Sequence, residues 1–172
     1  MDMYASAKTQ TLTQFKEVYD KRLLNAVPRA GSPVVFRAMA NQTPQNRYDI
    51  VEFLIDEGAE LNGTNAQGET LLHILFSRPK HSMAQTVALT RSLLDAGVDI
   101  DQLDSRNRVA IQYLISHPKF TDEDFAPLYD VIFQTCTLEV NIKNDWGYTP
   151  IELARKLPYR ADLLRRMTKN VR

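Results

Sequence analysis

The chain has one cysteine, one tryptophan and six glycines in 172 residues, and no surplus of charge of either sign. Each shortage excludes something. A lone thiol, Cys136, cannot close an internal disulfide, so a disulfide framework is excluded and a reducing compartment is the default. One cysteine also excludes a zinc–cysteine cluster. Lys and Arg total 21, and so do Asp and Glu. That balance argues against a broad phosphate-binding face, because nucleic-acid affinity comes largely from excess cations. No apolar run approaches the ~18 residues of a membrane span, and the opening "MDMYASAKTQ" lacks the apolar segment of a secretion signal. A cytoplasmic protein is the expectation. Nucleotide loops of the G-x-G-x-x-G and G-x-x-x-x-G-K-[ST] types are missing, as are G-x-S-x-G and H-E-x-x-H. No catalytic residue, cofactor or metal is therefore expected.

What is there is a unit that recurs. "NAQGETLLHIL" (65–75), "DSRNRVAIQYL" (104–114) and "NDWGYTPIELA" (144–154) align without gaps. Each opens on Asn or Asp, crosses a polar turn and starts an apolar helix. "VEFLIDEGAELN" (51–62), "TRSLLDAGVDID" (90–101) and "VIFQTCTLEVN" (131–141) align behind a second helix. The closing residues Asn62, Asp101 and Asn141 stand 39 and 40 apart, and the helix starts Ser32, Thr70, Val109 and Thr149 stand 38, 39 and 40 apart. Thr149, Pro150 and Glu152 read as an N-cap, a first-turn proline and a capping box. Ser32-Pro33 repeats that start. Ser82 with Gln85, and Thr121 with Asp124, read as box-like starts of second helices. Gly58 and Gly97 follow apolar runs where a left-handed C-cap is cheapest in glycine. Neither helix of a unit can bury its apolar stripe alone, so the units must stack.

These residues resemble the ankyrin repeat. "GETLLHIL" is similar to the family's G-x-T-P-L-H-x-A, "LLDAGVDID" to its L-L-x-x-G-A-D-V-N, and "DWGYTPIELA" is the cleanest match. The resemblance covers about residues 28–157. It implies an all-α, helix-turn-helix repeat solenoid with short β-turn fingers, of about four units plus terminal cap helices. The expected boundaries are an N-terminal cap helix over 1–27, units over 28–62, 63–101 and 102–141, and a fourth unit with the C-terminal cap over 142–172. Capped ends favour a complete, monomeric array. Departures are also visible. Family repeats run about 33 residues, and here the extra residues fall between the helices, at 41–49, 77–85 and 116–127. Asn107 and Val109 replace Gly and Thr, Thr137 replaces Gly, and the TPLH histidine survives only as His73. By resemblance, His73 bridges backbone groups of neighbouring units. Cys136 reads as an inert core residue, and the carboxylates of "TDEDF" (121–125) read as helix capping.

The same resemblance implies function through a concave face built from finger tips and first-helix ends. Carried over residue by residue, the fingers supply Gln67 and Glu69, then Ser105, Arg106 and Arg108, then Asp145, Trp146 and Tyr148. The helix ends supply Ser77, Arg78, Ser116 and His117. Trp, Tyr and Arg at adjacent tips are the types enriched at interface hot spots. The expected partner is another protein, and the expected role is that of an adaptor, inhibitor or immunity-type neutraliser. Structural alternatives stay open. Trp146 folds back over Leu163 or Met167, or Arg108 pairs with Glu69 or Asp145 across fingers. A second candidate surface is the repeated S-x-P-K of 77–80 and 116–119, which places Lys80 and Lys119 on one edge. The rival function is nucleic-acid binding through Arg29, Arg78, Arg106, Arg108, Lys80 and Lys119. A weaker rival is an enzyme built on His117 with Asp122 or Asp124.

Overall fold

The computed structural model describes residues 1–29 and 31–170. Ala30 in the expected first unit, and the last two residues of the expected C-terminal cap, lie outside the described residues. The described chain is all-helical: α1 (Met3–Thr9), α2 (Leu12–Lys16), α3 (Val34–Met39), α4 (Pro44–Asp56), α5 (Leu71–Phe76), α6 (Met83–Asp95), α7 (Ile111–Ile115), α8 (Asp122–Thr135), α9 (Pro150–Arg155) and α10 (Ala161–Lys169). Single 3-10 turns lie at Lys21–Leu23 and Pro158–Arg160.

The odd-numbered helices are short and pack in one row, α1 on α3, α3 on α5, α5 on α7 and α7 on α9. The even-numbered helices form a second row. There α2 packs on α4, α6 on α8 and α8 on α10, and Tyr48 of α4 reaches Thr86 of α6 through hydroxyls 2.6 Å apart. One apolar core runs between the rows, through Val35, Leu72, Leu89, Ile111, Leu128 and Leu163. The N-terminus departs from the expected cap helix over 1–27. It is a helix pair, α1 and α2, followed by a 3-10 turn, so five pairs stack among the described residues. Thr11 with Gln14 starts α2 as a capping box, and Asp20 takes the amide of Arg22 as the N-cap of the 3-10 turn Lys21–Leu23.

Caps set the registers. Thr149 with Glu152 and Thr121 with Asp124 form the expected boxes. Ser82 precedes α6 without a side-chain cap, and α3 and α7 start one residue later than expected, behind Pro33 and Ala110. Cys136 is the C-cap of α8 rather than a member of its apolar stripe.

The long inter-helix turns are held by buried guanidinium groups. Arg47 is fully buried and donates to the carbonyls of Asn41 (3.1 Å) and Lys80 (3.1 Å). Arg160, also fully buried, donates to Ile115 (3.0 Å), His117 (2.9 Å) and Phe120 (2.8 Å). Buried carbonyls must find donors. These two side chains supply them where the turns are longest.

Candidate functional site

Three finger turns carry the expected site residues, and one device builds all three. Asn65, Asp104 and Asn144 each accept two backbone amides on one side-chain oxygen. Asn65 takes Gln67 and Glu69 (2.9 and 3.0 Å), Asp104 takes Arg106 and Arg108 (2.8 and 2.9 Å), and Asn144 takes Trp146 and Tyr148 (3.0 and 3.2 Å). Each turn also needs one residue at positive φ. Gly68 (72°) and Gly147 (81°) supply it without strain, and Asn107 (55°) supplies it in the middle finger. Neighbouring fingers are joined through their backbones, Ser105 to Gln67 (2.7 Å) and Asp145 to Arg106 (3.1 Å). Side chains therefore fall into two columns. Gln67, Arg106 and Trp146 are exposed on the outer one, and Glu69, Arg108 and Tyr148 are half-buried on the inner one.

A cleft of about 580 Å³ opens beside the second and third of these fingers, against α5, α7 and α9. Tyr113, Trp146 and Tyr148 give it aromatic walls, and Phe76 and Leu153 add apolar surface. Trp146 is 54% exposed and does not cover α10, where Leu163 and Met167 are already buried. Arg106 and Arg108 stand over its ring at 5.5 and 5.7 Å. Arg108 also lies 4.4 Å from the centre of the Tyr113 ring. Its ion pair is with Asp104 of its own finger, at 2.7 Å, rather than with Glu69 or Asp145. Burial pushes the Asp104 carboxyl up, but the Arg108 and Arg106 amides and the Arg108 guanidinium outweigh it and hold it below its ordinary value. The Tyr113 hydroxyl donates to Asp104 (2.9 Å) and Glu69 (3.1 Å). Burial first, then these carboxylates, raise its pKa.

The expected residues do not all converge. Trp146, Tyr148, Arg108 and His117 line the cleft, and Arg106 stands at its rim. Gln67, Glu69 and Arg78 line a second hollow of about 320 Å³ with Lys8, Phe36 and Arg37. Asp145 accepts from the Asn107 amide at 2.8 Å. His117, expected as an accessible helix-end residue, is only 3% exposed. Its Nε2 meets the Arg78 carbonyl at 2.9 Å and its Nδ1 accepts from the Lys119 amide at 3.3 Å. Both ring nitrogens are thus occupied by backbone, and neither meets Asp122 or Asp124. Asp122 instead accepts from Tyr129 and from the first amides of α10, and Asp124 caps α8. Arg78 is spent likewise, on the carbonyls of Ile74 and Ala40. The turn prolines of S-x-P-K leave Lys80 and Lys119 exposed.

His73 shows how one unit grips the next. Its Nδ1 accepts from the Thr70 amide (3.1 Å), so Nε2 carries the proton and meets the Arg108 carbonyl of the next finger (3.0 Å). Gln112 fills the same slot one unit on. Its Oε1 accepts from Val109 (3.2 Å), but its buried Nε2 has no partner. Gln112 is also one of the residues that line the cleft. Tyr113 and Gln112 were not singled out by sequence. The available signal was the pair itself, two polar-tipped residues on a helix otherwise made of Ile and Leu.

No family model matches the chain, and no curated protein matches it. Among solved structures, the fold is similar to a crystal structure described as a functionally unknown protein from Leptotrichia buccalis C-1013-b. The two agree with a TM-score of 0.85 at 24% identity, over 98% of this chain and 92% of that one. At that identity the likeness shows a shared fold.

Proposed function

We propose that the chain is an ankyrin-type repeat array that binds another protein through the face carrying its fingers and the ends of its short helices. One observation carries the reading. Trp146, the sole tryptophan, is held exposed at a finger tip, with two guanidinium groups over it and a 580 Å³ cleft beneath. A large aromatic kept out of the core and flanked by Arg and Tyr is the composition of a binding hot spot. What supports the repeat class is the shared finger device at Asn65, Asp104 and Asn144 and the His73 bridge between units. A chain that acts by occupying a partner's surface works as an adaptor, an inhibitor or a neutraliser of that partner.

The test is affinity capture from a lysate of the source cells, read by mass spectrometry, with wild type beside a Trp146→Ala/Tyr148→Ala variant. The expected result is a protein held by wild type and lost by the variant. Truncating Trp146 costs about 2 kcal/mol or more of binding, while the urea midpoint of folding moves by less than the equivalent of about 0.5 kcal/mol, as for other exposed positions. Retention of nothing but nucleic acid or a metabolite overturns the reading.

A further inference from the structure

We infer that the cleft beside α7 and α9 accepts an acidic peptide segment, with an apolar side chain entering between Tyr113 and Trp146 and flanking carboxylates meeting Arg106 and Lys156. This rests on the protein-binding reading and narrows it to one chemical class of partner.

The charges around the cleft are unequally engaged. Its carboxylates are already spoken for within the chain. Asp104 holds Arg108 and Tyr113, Glu69 holds Asn65 and Tyr113, Asp145 holds Asn107, and Glu152 closes the cap of α9. Arg106 and Lys156 are not. Arg106 lies over Trp146 at 5.5 Å and Lys156 over Tyr148 at 3.6 Å, and neither forms an ion pair among the described residues. A cation held against a ring is already positioned, so meeting a carboxylate costs it little further ordering. Most of the surface inside the cleft is apolar, supplied by Phe76, Tyr113, Trp146, Tyr148 and Leu153, with the ion-paired Arg108 among them. Apolar centre and cationic rim together describe the complement of an apolar residue flanked by Asp or Glu.

The geometry favours an extended segment. The Tyr148 ring lines both the cleft and a neighbouring hollow of about 300 Å³ formed with Gly147, Glu152, Arg155 and Lys156. An extended chain places alternate side chains on one side about 7 Å apart, which suits two hollows divided by one ring.

Random dodecapeptides displayed on phage are selected on the full chain and counter-selected on the Trp146→Ala/Tyr148→Ala variant, both checked for folding by circular dichroism. Affinities of enriched peptides are read from the fluorescence of Trp146. Enrichment of Leu, Ile or Phe flanked by Asp and Glu is expected, with an Arg106→Glu/Lys156→Glu variant binding those peptides at least tenfold more weakly and salt weakening wild type. Neutral or basic peptides that still require Trp146 and Tyr148 overturn the acidic-partner inference and leave the protein-binding reading standing. Peptides indifferent to both aromatics, no enrichment, or single-stranded polyuridine bound more tightly than any peptide overturn both.

Discussion

Arg160 donates to the carbonyl of His117 across 2.9 Å, tying the turn before α10 to the turn after α7. The same guanidinium reaches Ile115 and Phe120, and it is wholly buried. The bonds to Ile115 and His117 satisfy buried backbone oxygens, and the one to Phe120 is partly buried. Arg160→Met keeps much of the volume and removes all three donors. Leaving buried acceptors unpaired costs about 1–3 kcal/mol each before relaxation, so a loss of about 3 kcal/mol in urea unfolding is expected. A loss below the equivalent of about 1 kcal/mol shows that the turns hold themselves.

Asn107 occupies a slot filled by glycine in the fingers on either side, at φ 55°. Asparagine tolerates this region better than other side-chain-bearing residues, and its amide gains a bond to Asp145. Asn107→Ala keeps the strain and loses the bond, so destabilisation of about 1–2 kcal/mol is expected. Asn107→Gly relieves the strain and loses the same bond, which leaves stability within about 0.5 kcal/mol of wild type. Equal losses for the two variants refute the strain account.

The residue rules reached this far because finger chemistry is local. Asn or Asp at the head of each turn, glycine or asparagine three residues on, and Thr before a helix are short-range patterns, and Asn65, Asp104 and Asn144 all act as hubs. What stayed illegible was long-range. Nothing adjacent to Arg47 or Arg160 marks them as buried, since apart from Asn41 the carbonyls they hold, those of Lys80, Ile115, His117 and Phe120, lie 33 to 45 residues away. His117 reads as a surface residue of a polar turn, and only stacking brings the Arg78 carbonyl to it. The first helix pair is illegible because α1, "MYASAKT", has small residues where α3 has Val and Phe and α5, α7 and α9 have Leu and Ile. Ser6 and Ala7 are buried there because the row continues to α1, not because the segment is apolar.

His73 and His117 are buried and His81 is half-buried, and desolvation lowers the pKa of each. His81 falls from 6.5 to about 4, by burial first and then by the nearby Arg47, His117 and Arg78, and His73 and His117 move in the same direction. A histidine kept neutral in the folded chain binds fewer protons there than when unfolded. Stability is therefore complete above about pH 6.5, declines as pH falls, and flattens for His81 near pH 4. At pH 5 the loss from His81 is about 1–2 kcal/mol. Depressed carboxylates such as Asp104 and Asp162 add their own loss only at lower pH. Melting temperature measured from pH 8 to pH 5 is expected to drop below about 6.5, with a smaller drop in His81→Gln. A flat profile across that range contradicts the burial of these rings.

The last prediction turns on the difference between His73 and Gln112. Each lies near the start of a short helix and accepts the amide three residues back, from Thr70 and Val109. Only His73 completes the bridge, to the Arg108 carbonyl. Tyr148 holds in the last finger the place of Arg108 in the middle one, since each carbonyl accepts the amide of its turn-opening residue. An imidazole at position 112 extends the donor rigidly toward that carbonyl, where the amide of Gln112 finds no partner. Gln112→His is therefore expected to stabilise the chain by about 1 kcal/mol, the net worth of one hydrogen bond with an orphan donor removed. It also narrows the cleft floor, so peptide binding falls while folding improves. A variant less stable than wild type in urea shows that the bridge at His73 depends on its own finger and does not transfer along the array.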